Sequence, residues 1–297
     1  MEIRKVPDAD GEVMVYKFWD GVHFPGKVPG DAKTHIEYVL GKTYKQGDVL
    51  LATFPKTGTH WTFEILYMLL TGKAEYCPKS PVSLDYSTQE EQENLGSPRI
   101  LGTHFYPKHV PRDFLEKRGK AIYVYRNPKD TAVSYYSFMK RLNIPGMTYN
   151  GKWDAFIDTY MQGTVPYNSW CEHVSAWVEF KKENPDYPIL LISYEDMKKD
   201  LRRSVQLISD HLGTGHDSAL LDAIASKCEF KEMFKEKTEN ISETDKKISL
   251  DGSNPFYRKG DVGDWKNWFT VAQNERFDMT MKKEVDKIDL PVEYTLT

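Results

Sequence analysis

Four short apolar runs punctuate the chain: Val49-Leu50-Leu51-Ala52-Thr53-Phe54, Arg99-Ile100-Leu101-Gly102-Thr103, Ala121-Ile122-Tyr123-Val124-Tyr125 and Ile189-Leu190-Leu191-Ile192-Ser193-Tyr194. None alternates cleanly between apolar and polar. Each reads as a strand covered on both faces, the pattern of a parallel sheet. Between and after them the spacing turns helical. His60 to Leu70 is apolar almost all round and stops at Gly72. Thr131 to Arg141 follows the third run; Glu195 to Leu212 follows the fourth, opens on acidic residues and stops at Gly213. Acid at the start and glycine at the stop suit the helix dipole and a left-handed cap. Strand then helix, repeated, predicts an α/β fold with a central parallel β-sheet flanked by helices. No repeat, low-complexity tract or linker divides residues 1–297, so a single domain is expected. Met1 to Lys45 carries little readable chemistry.

The ends of the four runs share a feature. Pro55-Lys56-Thr57-Gly58-Thr59 follows the first, His104 the second and Arg126-Asn127-Pro128-Lys129-Asp130 the third, while the fourth ends in Tyr194. In such sheets ligands bind outside the carboxyl ends of the strands. The first of these segments is strand, short loop, then helix. Gly58 permits a tight turn and close approach of a ligand. The open amides of a helix start form an anion site. Lys56 adds a charge, and Thr57 and Thr59 add hydroxyls. The lysine precedes the glycine, so this is not the G-x-x-x-x-G-K-[ST] loop of nucleotide triphosphatases. Taken alone, the pentapeptide fits equally well an ordinary turn with a surface lysine.

Composition narrows the field of ligands. The 297 residues are 40% apolar, 28% charged and 13% aromatic, with a formal net charge of −4. An acidic balance argues against a dedicated nucleic-acid binder, while a local cluster of Lys and Arg still serves a small anion. The three cysteines, Cys77, Cys171 and Cys228, are scattered without C-x-x-C spacing, which fits a reducing compartment and no zinc site. The first residues lack the apolar core of a secretory signal, and no apolar run approaches the roughly 20 residues that span a bilayer. A cytoplasmic enzyme is expected, in which the sequon Asn240-Ile241-Ser242 is idle.

Three longer stretches give the chain a family. Thr53-Phe54-Pro55-Lys56-Thr57-Gly58-Thr59-His60-Trp61 resembles the T-Y-P-K-S-G-T-T-W loop of the cytosolic sulfotransferases. Tyr123 to Tyr136 is similar to their Y-V-x-R-N-x-K-D-x-x-V-S-Y-Y, and Arg258 to Asn267 to R-K-G-x-x-G-D-W-K-N. The resemblance spans nearly the whole length. It implies a P-loop-kinase-like sulfotransferase fold and transfer of a sulfuryl group from 3′-phosphoadenosine 5′-phosphosulfate (PAPS), with PAP as product and no metal.

The same resemblance distributes roles. Lys56 stabilises the departing phosphate, Thr57, Gly58, Thr59 and His60 hold the 5′-phosphosulfate, and Trp61 packs on adenine. Arg126 and Ser134 bind the 3′-phosphate, with Arg258, Lys259 and Gly260 closing over it; Ser134 is placed with Lys56 and His104 in the catalytic group. Tyr194, Cys228 and Phe230 stand at adenine-site positions, with Phe256 and Tyr257 beside them. His104 matches the general base, a histidine being suited to accept a hydroxyl proton near neutral pH; His109 is a weaker competitor. Trp61 has a second, weaker reading as a core tryptophan, and without the surrounding signature Arg258-Lys259 would read as a solvated pair. The family analogy places the acceptor hydroxyl, or amine, near Phe24, the segment around Tyr86, and Phe138 to Thr148 including Met147; such a lining suits hydrophobic or phenolic molecules. Lys266 to Glu275 fits the family's dimer motif, implying a homodimer through a small interface; the other reading is a surface helix start.

Four departures stand out. Gly102 occupies a position where a lysine is common, a role Lys108 could fill. His60 replaces a threonine, and Tyr257 a methionine; Cys228 likewise stands for a threonine. These leave two other readings open, a PAP-binding protein with little catalysis and a small-molecule kinase. The second lacks support, since ATP has no 3′-phosphate for Arg126 and Ser134 to hold.

Overall fold

The computed structural model describes residues 2–79, 81–96 and 98–296. The four apolar runs become β4 (Val49–Thr53), β5 (Ile100–Thr103), β6 (Lys120–Tyr125) and β7 (Ile189–Ser193), after three N-terminal strands, β1 (Glu2–Pro7), β2 (Val13–Trp19) and β3 (Val22–Pro25). The central sheet has the order β5-β4-β6-β7 and every pairing in it is parallel. Its two faces feed two cores. Leu50 and Ala52 of β4 and Ala121, Tyr123 and Tyr125 of β6 pack into one; Val49, Leu51, Ile122 and Val124 pack into the other. With alternate residues buried on opposite sides, neither face tolerates a polar stripe.

The helices that position the site leave the carboxyl ends of these strands. Helix α1 (Thr59–Thr71) follows β4 and ends at Gly72, whose φ of 66° is the left-handed cap the sequence predicts. Helix α2 (Pro128–Arg141) follows β6 and begins three residues earlier than its apolar pattern suggests. Asn127 caps it, accepting from the Asp130 amide, and Pro128 supplies the first helical residue. Helix α3 (Trp170–Glu183) packs behind β6 through Trp177, which stacks on Tyr123. The expected helix 195–212 is two helices, α4 (Tyr194–Lys199) and α5 (Leu201–Leu212). Asp200 breaks the run in an extended conformation and its carboxylate caps α5 at the Arg203 amide. Helices α6 (Ser218–Lys227), α7 (Phe230–Glu239) and α8 (Val271–Val285) are among the further helices of the frame, with Ala32–Leu40 and Trp153–Met161.

Between Glu2 and Pro25 the chain forms a three-stranded antiparallel sheet, β1-β2-β3, that the apolar pattern did not disclose. It props the loop after β5: Phe24 meets Phe105 and Tyr167 edge-on, and Tyr16 donates to the Thr164 carbonyl at 2.7 Å.

Candidate active site

The loop after β4 is bent by two left-handed residues, Lys56 at φ 71° and Gly58 at φ 115°. The second requires glycine for a further reason: a Cβ there would sit 3.1 Å from the Tyr194 ring. Glycine also offers no side chain to cap α1. The first helical bond runs from the Thr62 amide to the Gly58 carbonyl, so the amides of Thr59, His60 and Trp61 have no partner in the helix. They open on a cavity of about 620 Å³ at the carboxyl edge of the sheet. Such amides attract an anion.

Cations converge on the same cavity. Lys56 lies 3.3 Å from the Phe256 carbonyl, with its ammonium 4.2 Å from the centre of the Phe138 ring. Burial, and then the charges of Arg141, Arg126 and Arg258, push its pKa down to about 7. Arg126 stacks 4.2 Å from the Tyr194 ring and donates to the Asp261 carbonyl at 2.7 Å, while its buried Nε has no hydrogen-bond partner among the described residues. Arg258 and Lys259 both pair with the buried Asp264, which their hydrogen bonds hold at about 2 against the upward push of burial. The segment that carries them is pinned twice. Asp130 accepts from the Gly263 and Trp265 amides at 2.7 and 2.9 Å, and Arg141 donates to the Asn254 and Tyr257 carbonyls.

An aromatic slot lies beside these charges. Trp61 sits 5.1 Å from Tyr194 and donates its Nε1 to the Cys228 carbonyl at 2.7 Å. Phe230 borders the slot and dictates Gly260, since a Cβ there would fall 2.1 Å from the Phe230 ring.

His104 opens the next loop, where β5 ends, and lines the cavity. Its Nδ1 is 2.9 Å from the Thr53 carbonyl. A carbonyl only accepts, so Nδ1 carries the proton and the neutral ring keeps its lone pair on Nε2. Its backbone amide donates to both oxygens of Asp85 at 3.1 Å. Burial and Lys56 push its pKa down, opposed by Asp85 and the Thr53 carbonyl. His60 stacks on Phe256 at 4.1 Å, and burial followed by the Lys56 charge holds it neutral, near 3. It presents one N–H rather than a cation.

The cavity gathers most of the residues expected from sequence: Lys56, Gly58, Thr59, His60, Trp61, Arg126, Ser134, Tyr194, Phe230 and Phe256 to Gly260, with His104, Tyr86, Phe138 and Met147. Three expected residues lie elsewhere. Thr57 turns inward, its hydroxyl shared between the Phe54 and Val124 carbonyls at 2.8 and 3.0 Å, so it stitches the loop to β6. Cys228 is fully buried against Met68, and only its carbonyl serves the slot, through Trp61. Phe24 is fully buried among Phe105, His109 and Tyr167, supporting the loop rather than lining the cavity. Lys108 pairs with Asp20 and does not take the place left by Gly102; His109 is engaged by the same carboxylate. Asp85 and Arg141 are the contributors that motif reading missed; each acts through a partner in another segment, which no local pattern announces. Asp264 lies within the 258–267 signature, where it pairs with Arg258 and Lys259.

With a phosphate loop, an aromatic slot and a neutral histidine around one cavity, the architecture is that of a group-transfer enzyme acting on an anionic nucleotide. Residues 46–289 match the family described as "Sulfotransferase domain". The chain is 37% identical to sulfotransferase 1A1 of Rattus norvegicus, covering 82% of this chain and 86% of that one. It is 38% identical to sulfotransferase 1B1 of Canis lupus familiaris, covering 80% and 83%. Among solved structures, mouse sulfotransferase SULT7A1 complexed with PAP superposes with a TM-score of 0.73 at 28% identity, over 91% of this chain and 94% of that one. The chain belongs to the sulfotransferase family and is a sulfotransferase enzyme. Among the described residues no helix is long and apolar enough to cross a membrane.

Proposed function

We propose that this enzyme moves a sulfuryl group from PAPS to a hydroxyl, or an amine, of a small hydrophobic or phenolic acceptor. PAPS would supply an activated sulfuryl group on a phosphate leaving group. The residues present suit it. The amides of Thr59 to Trp61 and the Lys56 ammonium face a 5′-phosphosulfate; Arg126, with an unused buried Nε, Ser134 and Arg258 to Gly260 suit a 3′-phosphate. Trp61, Tyr194 and Phe230 flank a planar base.

One observation carries the mechanism: His104, fixed through Nδ1 with Nε2 unprotonated, shares a cavity with Lys56 and the open helix start. Nε2 takes the acceptor's proton as its oxygen attacks. Lys56 and the helix amides meet the charge that grows on the departing phosphate, where positioned cations and dipoles carry much of the rate. Tyr86, Phe138 and Met147 give the acceptor end its apolar character. We place the protein in the cytoplasm as one domain over residues 1–297. A homodimer through Lys266 to Glu275 is supported by Val271, an apolar residue 76% exposed in that segment.

The test is a PAP titration followed by labelled PAPS with a panel of phenols, sterols, alcohols and amines, beside His104→Ala. Binding and transfer that His104→Ala abolishes are expected. Binding without transfer to any acceptor would favour a PAP-binding protein; no binding would overturn the donor assignment.

A further inference from the structure

His104 is held at more points than its ring bond to Thr53. β5 ends at Thr103, so the carbonyls that follow have no strand to pair with. Helix α3 meets them. His173 and Trp177 lie one turn apart on one face of that helix. His173 Nε2 is 2.9 Å from the His104 carbonyl, and Trp177 Nε1 is 3.2 Å from the Phe105 carbonyl. The other nitrogen of His173, Nδ1, is 2.9 Å from the Tyr123 hydroxyl on β6. Since the His104 carbonyl only accepts, Nε2 of His173 carries the proton and Nδ1 accepts from Tyr123. The ring is fully buried, between Tyr106 at 4.9 Å, Phe54 at 5.5 Å and Tyr123 at 5.8 Å. Burial keeps it neutral, near 3, so the tautomer does not change over the working pH range.

The result is a three-point mount for one residue. Asp85 fixes the His104 amide, Thr53 fixes Nδ1, and His173 fixes the carbonyl. Nε2 is left over for the substrate. Two of these points come from strands or loops at the sheet edge. The third comes from a helix behind the sheet and holds the carbonyl of the residue that follows β5.

We propose that His173, its tautomer set by the His104 carbonyl and its ring anchored at Nδ1 by Tyr123, is a positioning residue for the general base His104. The inference rests on the assignment of His104 as base. Misplacing a reacting group by about 1 Å costs on the order of a hundred-fold in rate, so the predicted effect falls on kcat and leaves donor binding alone.

The experiment measures kcat, KM for PAPS and PAP affinity in His173→Leu, His173→Gln, Tyr123→Phe and His104→Ala, and in the double variant His104→Ala/His173→Leu. His173→Leu is expected to lower kcat by roughly a hundred-fold with PAP affinity within about two-fold. His173→Gln, whose amide can donate to the carbonyl and accept from Tyr123, should recover most of that loss. In the His104→Ala background, His173→Leu should cost little more, because a positioning residue has nothing left to position. Equal losses in both backgrounds, or an unchanged kcat in His173→Leu, would overturn the proposal. If His173→Leu does not fold, Tyr123→Phe decides: it keeps the ring and removes its second anchor at Nδ1, and a kcat at the native level refutes the mount. Full transfer by His104→Ala would instead sink the base assignment.

Discussion

The depressed pKa of Lys56 turns donor binding into a proton-linked event. In the free protein its burial, with Arg141, Arg126 and Arg258 around it, brings the ammonium to about 7. A bound phosphate is a counter-charge for all four cations, so the complex holds the proton that the free protein surrenders. The sign follows. Below pH 7 Lys56 is protonated both free and bound, and its protonation makes no difference to affinity. Above pH 7 binding must take up a proton, and affinity falls as pH rises. If the bound value lies well above 9, going from about pH 7 to about pH 9 weakens PAP roughly fifty-fold, about 2.3 kcal/mol. Phosphate ionisation does not mask this, because the secondary phosphate pKa lies near 6. Isothermal calorimetry in two buffers of different ionisation enthalpy would report uptake of close to one proton at the upper end. Lys56→Arg, with a guanidinium that does not titrate, should flatten the curve. A flat affinity between these pH values in the native protein, or no proton uptake, would refute the reasoning.

Other expectations are independent of that lysine. Gly260→Ala should weaken PAP at least about ten-fold with little change in Tm, because its Cβ would enter the Phe230 ring from a left-handed backbone in a half-exposed segment; calorimetry and thermal melts check it. The acid limb of kcat/KM should report a pKa below the usual 6.5 of histidine, since burial and Lys56 push His104 down; a limb at or above 6.5 would contradict this. Arg141→Ala should release the stretch from Ser253 to Tyr257, which it holds through three bonds, and weaken PAP by about ten-fold without touching the chemistry of a bound donor. Gly102→Ala should fold and bind PAP normally, its new methyl resting at an ordinary 3.6 Å from the Val82 carbonyl, and should discriminate against the bulkiest acceptors in KM.

The sheet was readable because its strands are buried on both faces, and four unbroken apolar runs have few other interpretations. The β1-β2-β3 sheet was not. Its burial is partial, with β1 showing Glu2, Ile3, Lys5 and Pro7 to solvent, and what makes it a sheet is the tertiary support it gives and receives through Tyr16 and Phe24. The split at Asp200 was hidden because a continuous helical pattern does not record that one residue leaves the helix to cap the next. In the site, cavity-lining residues were legible where one segment carries both loop and helix. Side-chain direction was not: Thr57 and Cys228 sit in the right segments and point the wrong way. The acceptor end was least legible. Lys27, Val82, Gly102, Ile144 and Ile248 come together there from separate segments, and an aromatic such as Phe24 looks the same in a sequence whether it lines a cavity or supports one.

The electrostatics of the cavity carry one further consequence. A site that must hold a multiply charged anion needs several cations, and those same cations disfavour a charged histidine beside them. On the proposed mechanism Lys56 does both, drawing the phosphate side of the reaction while adding to burial, the larger cause, in pushing His104 toward its neutral form. Had the site only cations, the imidazolium formed by proton transfer would be penalised in turn. Asp85 answers that need. Its carboxylate accepts from the His104 amide without touching the ring, so it raises the pKa from a distance and leaves Nε2 free. Neutral before transfer and tolerable as a cation after it are opposing demands. Lys56, which lowers the His104 pKa, and Asp85, which raises it, are the two charges that balance them.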